Sequence, residues 1–199
     1  MIKAVLFDYG GVLSPGGKNF KGSLARMLGV SPDNLGIEDL REGLWSGELS
    51  TDEFFAELSR RQGRTILSTD FLKASGILEA HPEVYSLAEK IRKAGLKTAI
   101  LSNMYKTSAD LLRAGGHYDN FDPVILSFEE GLSKPDDAIY ELALKKLDCK
   151  AEEVVFIDDQ ERFLKPARRK GIHVIQAVSP EQVIADVKQI LKQQNGLEI

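Results

Sequence analysis

Four stretches of this chain hold residues whose types and spacing can do chemistry. In the first, Phe7-Asp8-Tyr9-Gly10-Gly11-Val12-Leu13, an apolar run ends in a carboxylate followed by two glycines. An acid so placed can act as a nucleophile, although aspartate and glycine also serve ordinary turns through their backbone tolerance. The second, Ile100-Leu101-Ser102-Asn103, gathers a hydroxyl, an amide and backbone N–H groups ahead of a helical pattern. Such a junction attracts anions, and Ser or Asn there equally suits a plain helix cap. The third, Leu132-Ser133-Lys134-Pro135-Asp136, sets a lysine just before a proline-started helix, where most lysines would be solvated surface. In the fourth, Val155-Phe156-Ile157-Asp158-Asp159-Gln160, an apolar run opens directly on two adjacent acids. Two neighbouring carboxylates repel one another, which a bound hard cation relieves; an acidic start to a helix is the plainer reading.

These residues need elements to position them. Short apolar runs at residues 4–7, 98–101, 123–126, 154–157 and 173–175 read as buried strands. Between them lie helical patterns. Val84, Leu87, Ala88 and Ile91 fall at i, i+3, i+4 and i+7, with Gly95 placed to stop the helix. Ile139, Leu142 and Ala143 form a stripe after Pro135-Asp136. A helix from about Glu161 to Lys170 ends at Gly171, and another from about Glu181 carries Ile184, Val187 and Leu191. Strands alternating with helices predict an α/β fold, a Rossmann-like parallel sheet with helices on both faces. From Lys18 to Leu78 the alternation breaks: Leu24, Met27 and Leu28 make one apolar stripe and Phe54, Phe55 and Leu58 another, with no convincing strand. This predicts an all-helical insertion, residues 17–78, above a core made of residues 1–16 plus 79–199. Ligands in open α/β sheets bind at the carboxyl edge, where such an insertion would sit. Gln193-Gln194-Asn195-Gly196 reads as a frayed tail.

In order along the chain, the four features resemble the motifs of the haloacid dehalogenase superfamily. Its phosphatases carry Asp-x-Asp-x-Thr/Val, then Ser/Thr, then Lys, then an acidic motif ending another strand. Here these stand as Asp8-Tyr9-Gly10-Gly11-Val12, Ser102, Lys134 and Asp158-Asp159, and the likeness runs from about residue 2 to 178, including Lys134-Pro135-Asp136-Asp137-Ala138-Ile139-Tyr140. The resemblance implies a magnesium-dependent phosphatase that hydrolyses a small phosphorylated metabolite, a sugar phosphate being the favoured guess, through an aspartyl-phosphate on Asp8. It implies Mg²⁺ held by Asp8, the Gly10 carbonyl and Asp158, with Asp159 as a ligand or close behind. Ser102 and the following N–H groups, helped by Asn103, would hold the phosphoryl oxygens, and Lys134 would balance the carboxylates and the charge that builds at transfer. The insertion resembles the family's helical cap, in which a loop near Leu44-Trp45-Ser46-Gly47-Glu48 faces the active site, making Trp45 and Glu48 candidates for reading the leaving group; plain cap core is the competing role for Trp45.

One position departs from the pattern. Most phosphatases of the family carry a second aspartate two places after the nucleophile, to protonate the leaving oxygen and later activate water; here that position is Gly10. Tyr9 lies between and should point to the opposite side. General acid–base help is worth about 10²–10⁴ in rate, so its loss calls for a good leaving group, an acid such as Glu48, or a water. A catalytically weak or inactive binding module is the alternative reading. A 2-haloacid dehalogenase-type hydrolase is a further one, against which the Asp158-Asp159 pair argues.

Composition bounds the rest. The 199 residues carry 26 Lys plus Arg against 30 Asp plus Glu, a net charge of −4. That balance gives no general attraction to nucleic acid or an anionic membrane, so an anionic substrate must be held by local groups. A single cysteine, Cys149, forms no intrachain disulfide and suits a reducing cytoplasm. No apolar stretch reaches the ~20 residues of a membrane span. The expected setting is cytoplasmic, and the sequence says nothing of oligomeric state.

Overall fold

The computed structural model describes residues 1–17 and 19–199; Lys18, expected at the start of the helical insertion, lies outside the described residues. Five parallel strands, β1 (Ala4–Phe7), β2 (Lys97–Ser102), β3 (Val124–Leu126), β4 (Val154–Asp158) and β5 (His173–Gln176), make one sheet in the order β3-β2-β1-β4-β5. The α/β, Rossmann-like expectation therefore holds. Every residue of β1 is buried, as a central parallel strand requires. Its last residue, Phe7, pairs with Ile100 on one side and Ile157 on the other, so the segments that leave β1, β2 and β4 emerge together. The chain steps outward from β1 in both directions, which opens a crevice at the carboxyl edge.

The helices are α1 (Phe20–Leu28), α2 (Glu38–Ser46), α3 (Thr51–Gln62), α4 (Ser68–Ser75), α5 (Pro82–Lys93), α6 (Lys106–Ala114), α7 (Ser127–Glu130), α8 (Asp137–Leu147), α9 (Glu161–Arg169) and α10 (Pro180–Asn195). Side-chain alternation along β1 divides them between two faces. Val5 and Phe7 share a core with Val84, Leu87 and Ile91 of α5 and with Val183, Val187 and Leu191 of α10. Ala4 and Leu6 pack with Ile139, Tyr140, Ala143 and Leu147 of α8 and with Leu164 and Ala167 of α9. The C-terminal end is firmer than expected. Helix α10 runs to Asn195, whose amide accepts from Ile2 N at 2.9 Å and donates to Ile2 O at 2.8 Å. A side chain that satisfies both main-chain groups of a neighbour holds the last turn where the polar sequence suggested fraying.

Between β1 and α5 the described residues form α1 to α4 and no strand. Helix α3 opens with the reciprocal Ser50/Glu53 capping box. The helices converge on Phe20, whose ring meets those of Trp45, Phe54 and Phe71 edge-on at centroid distances of 6.3, 5.7 and 4.9 Å. Phe20 also meets Tyr105, which follows β2, at 6.1 Å. An aromatic layer thus joins the helices to the sheet edge beneath them.

Candidate active site

Asp8 leaves β1, Asp158 ends β4, and Lys134 enters from the segment before α8 to stand between them. Its Nζ lies 3.0 Å from Asp8 Oδ1 and 2.6 Å from Asp158 Oδ2. All three are buried, at 5%, 2% and 0% exposure for Asp8, Lys134 and Asp158. Burial would lower the Lys134 ammonium, but the two carboxylates outweigh it and hold the pKa above the ordinary lysine value. Burial pushes the Asp158 carboxyl well above the usual range, with Asp8 adding to the push and Lys134 opposing it. Main-chain donors finish the geometry: Tyr9 N to Asp8 Oδ1 at 2.7 Å and Gln160 N to Asp158 Oδ1 at 2.8 Å.

One ammonium against two buried carboxylates leaves negative charge to be neutralised, and Asp159 adjoins them. Oxygens of Asp8, Asp158 and Asp159 can all lie within 4.8 Å of one another. Three hard oxygen donors gathered at one point fit a divalent cation such as Mg²⁺, which prefers carboxylates and carbonyls and keeps several waters. The residues present therefore fit the metal that the motifs imply.

Ser102, 2% exposed, ends β2 beside this cluster. The segment after it is fastened in two ways. Ser127 Oγ accepts from Met104 N at 3.1 Å and donates to Met104 O at 3.2 Å. The Asn103 amide donates to Lys134 O and accepts from Lys134 N, each at 2.8 Å. Asn103 thus grips the main chain that carries Lys134, a use that its place next to Ser102 did not suggest.

Tyr9 turns away from the crevice, as strand alternation requires. It is buried, its hydroxyl 2.8 Å from His117 Nδ1, and burial pushes its phenol far above the ordinary range. Gly10 faces the crevice with no room to spare. A Cβ there would lie 3.0 Å from the Gly17 carbonyl carbon and 3.2 Å from Gly16 O. Gly16 is tighter still, since a Cβ on it would fall 2.1 Å from the Gly76 carbonyl carbon and 2.4 Å from Ser75 O. Glycines 10, 16, 17 and 76 therefore stack backbone on backbone where the chain leaves the sheet for the helices and where it returns. Gly17 N to Ser75 O at 3.2 Å and Ser14 Oγ to Gly76 O at 3.3 Å tie the two passages together.

Above Asp8 lies a cavity of about 390 Å³. Ser102, Asn103, Lys134 and Gly10 border it below, and Phe20, Trp45, Phe71 and Tyr105 border it above. Trp45 is thus at the cavity as expected. Glu48, exposed in the turn after α2, is not among the residues that line it. Among the described residues Asp8 is the one carboxylate in the lining, against Lys21, Arg41, Lys134 and Arg162. Arg41 and Arg162 escaped the sequence reading because a single arginine on a helix carries no spacing signal.

Fold and site together define an α/β enzyme that works at the switch point of a parallel sheet. The chain belongs to the haloacid dehalogenase-like hydrolase family, whose model matches residues 2–171. Among curated relatives it is 28% identical over 177 residues to the sesquiterpene phosphatase astK of Aspergillus oryzae, covering 85% of this chain and 87% of that protein. It is also 28% identical over 203 residues to acyl-CoA dehydrogenase family member 10 of Mus musculus, covering 95% of this chain but spanning 19% of that much longer protein. Of solved structures, one described as a predicted HAD-like family hydrolase from Porphyromonas gingivalis superposes with a TM-score of 0.84 at 27% identity, covering 98% of this chain and 100% of that one. A HAD family enzyme of Bacteroides thetaiotaomicron, solved with magnesium and inorganic phosphate, shares the fold at a TM-score of 0.75 and 20% identity, over 90% of this chain and 96% of that one.

Proposed function

We propose that the chain is a magnesium-dependent phosphatase for a small phosphorylated compound, working through an aspartyl-phosphate on Asp8. The observation that carries this reading is the buried Asp8–Lys134–Asp158 cluster, with contacts of 3.0 and 2.6 Å, opening on a cavity beside Ser102. The phosphatase and the magnesium-and-phosphate complex among the similar proteins support it.

In this reading an oxygen of Asp8 attacks phosphorus, the bond to the leaving oxygen breaks, and water later hydrolyses the acyl phosphate, which splits one difficult step into two. Lys134 holds the Asp8 carboxylate in place and offsets the charge on the transferring group. Ser102 and the main-chain N–H groups after it receive the phosphoryl oxygens. Asp8, Asp158, Asp159 and the Gly10 carbonyl would hold Mg²⁺, which when bound neutralises the carboxylates and polarises the phosphoryl group. Asn103 fixes the Lys134 main chain and borders the same cavity, where it can help hold the phosphoryl group. Helices α1 to α4, roughly residues 17–78, act as a cap that keeps bulk water from the acyl phosphate.

The test is inorganic phosphate release from a panel of phosphorylated compounds, with and without Mg²⁺, for the natural chain and for Asp8→Asn. Turnover that requires both magnesium and Asp8 is the expected result. Metal binding without turnover on any compound would favour the binding-module reading instead.

A further inference from the structure

The cavity over Asp8 holds more positive charge than one phosphoryl group needs. Lys134 is committed to Asp8 and Asp158, and Lys21 is paired with Glu38 at 2.5 Å. Arg41 and Arg162 remain. They belong to different parts of the chain, Arg41 to α2 and Arg162 to the first turn of α9, yet they border the same cavity.

Both guanidinium groups are held by aromatic faces. Arg41 Cζ stands 5.0 Å from the centre of the Trp45 ring, and Arg162 Cζ stands 4.5 Å from that of Phe163. Arg162 Nε also donates to Gln160 Oε1 at 3.0 Å. Other arginines grip acids: Arg61 holds Asp39 and Arg168 holds Glu161, both at 2.8 Å. Arg41 Nε, by contrast, is buried and has no acceptor among the described residues. A buried donor left without an acceptor is costly. Burial, followed by the positive charge of Arg41, lowers the Arg162 guanidinium, with Asp158 and Asp159 opposing, so the two arginines repel one another across the opening. An anion between them relieves both penalties, and a stacked guanidinium keeps its in-plane donors free for two-point contact with a carboxylate or phosphate.

The rest of the cavity wall mixes polar groups with a set of large apolar side chains. Phe20, Trp45, Phe71, Tyr105, Ile77 and Met104 supply its apolar part. We propose that the substrate is a phosphate compound with an apolar or aromatic body and a second anionic group, and that Arg41 and Arg162 form the subsite for that second anion. The inference rests on the phosphatase reading for the role of the first anion, but the subsite can be tested without turnover. A substrate of this kind also suits a cavity whose one lining carboxylate is Asp8. If the second anion is a phosphate joined to the first, the departing group is itself a phosphate and leaves without a protein acid.

Trp45 is the chain's single tryptophan and borders the cavity, so its fluorescence reports occupancy. The Mg²⁺-loaded natural chain is titrated with three non-hydrolysable probes: benzylphosphonate, 4-carboxybenzylphosphonate and a benzyl methylenebisphosphonate. At least one doubly anionic probe should bind about tenfold more tightly than benzylphosphonate or better, as a charge-assisted contact implies. The preference should shrink in high salt and collapse towards one in Arg41→Gln and Arg162→Gln, followed by calorimetry where the change next to Trp45 alters fluorescence. The carboxylate and phosphonate arms identify which anion the subsite takes. Equal affinity for all three probes, or a preference that survives both substitutions, overturns the proposal. Phosphate release from a panel of phosphorylated compounds that includes doubly anionic ones, measured alongside, tests the phosphatase reading separately: a binding preference without turnover on any of them would sink that reading and leave the subsite standing.

Discussion

Replacing Gly10 by aspartate separates two accounts of that position. If the glycine merely lacks a functional group, Gly10→Asp should supply the absent acid and raise turnover on alkyl phosphates by about 10²–10⁴. The packing argues otherwise. The new Cβ would meet the Gly17 carbonyl carbon at 3.0 Å and Gly16 O at 3.2 Å, and both neighbours are main chain. They have little freedom to retreat, because Gly16 already lies against the backbone of Ser75 and Gly76 so closely that its own Cβ would fall 2.1 Å from the Gly76 carbonyl carbon. Forcing extra atoms into a filled interior costs about 1–3 kcal/mol. For a chain of this length each kcal/mol lowers Tm by roughly 2–4 °C, so Tm should fall by about 2–12 °C. The assay pairs thermal melts with phosphate release from an alkyl phosphate, which needs a proton on its leaving oxygen, and from 4-nitrophenyl phosphate, which does not. The expected outcome is a lower Tm and no selective gain on the alkyl phosphate. A gain of about 10² or more on that substrate with an unchanged Tm would refute the steric reasoning.

The buried cluster predicts a metal-dependent stability defect. Lys134→Met leaves Asp8 and Asp158 facing one another without their shared ammonium, and breaking such a buried pair costs about 3–5 kcal/mol. Melting with chelator present should show that loss, and Mg²⁺ should recover part of it; a variant as stable as the natural chain in chelator would count against the cluster. At the surface, hydrogen bonds from Arg61 hold the Asp39 carboxyl at about 2, and those from Arg60 and Arg61 hold Glu57 at about 2, against ordinary values of 3.8 and 4.5. Folded pKa values below the unfolded ones give stability that is present above about pH 4.5 and lost as the pH falls towards 2. Arg61→Gln should therefore flatten the acid side of a Tm-against-pH curve between pH 5 and 3 by lowering its neutral plateau, the two curves meeting as the pH falls towards 2; the drop is small, since solvent screens both pairs.

The strands were legible because a central parallel strand is buried on both faces and shows as an unbroken apolar run. Ala4 to Phe7 needed no correction, and Val154 to Ile157 gained one residue, the aspartate at its end. That Asp8, Ser102 and Asp158 meet follows from the same fact, since parallel strands deliver their last residues to one edge. Lys134 was harder, because its segment reaches the edge from a loop and its burial rests on two carboxylates distant in sequence. Three features lay beyond the sequence. Asn103 shows its hold on the Lys134 main chain only once the fold is seen. Asn195 looks like tail until it is found bonded to Ile2. Arg41 and Arg162 acquire meaning only by facing one cavity, and nothing local distinguishes them from solvated arginines.

The stacked glycines make four positions answer for one another. The outgoing passage has no methyl's width to spare, so a change at Gly16 calls for a rebuilt turn at Gly76, and a change at Gly10 calls for room at Gly16 and Gly17. A designer who wants a different residue two places after the aspartate has to begin by redrawing the doorway. Because the two passages are also bonded across the gap, the crossing pins the base of the helices to the sheet edge within a few residues of Asp8.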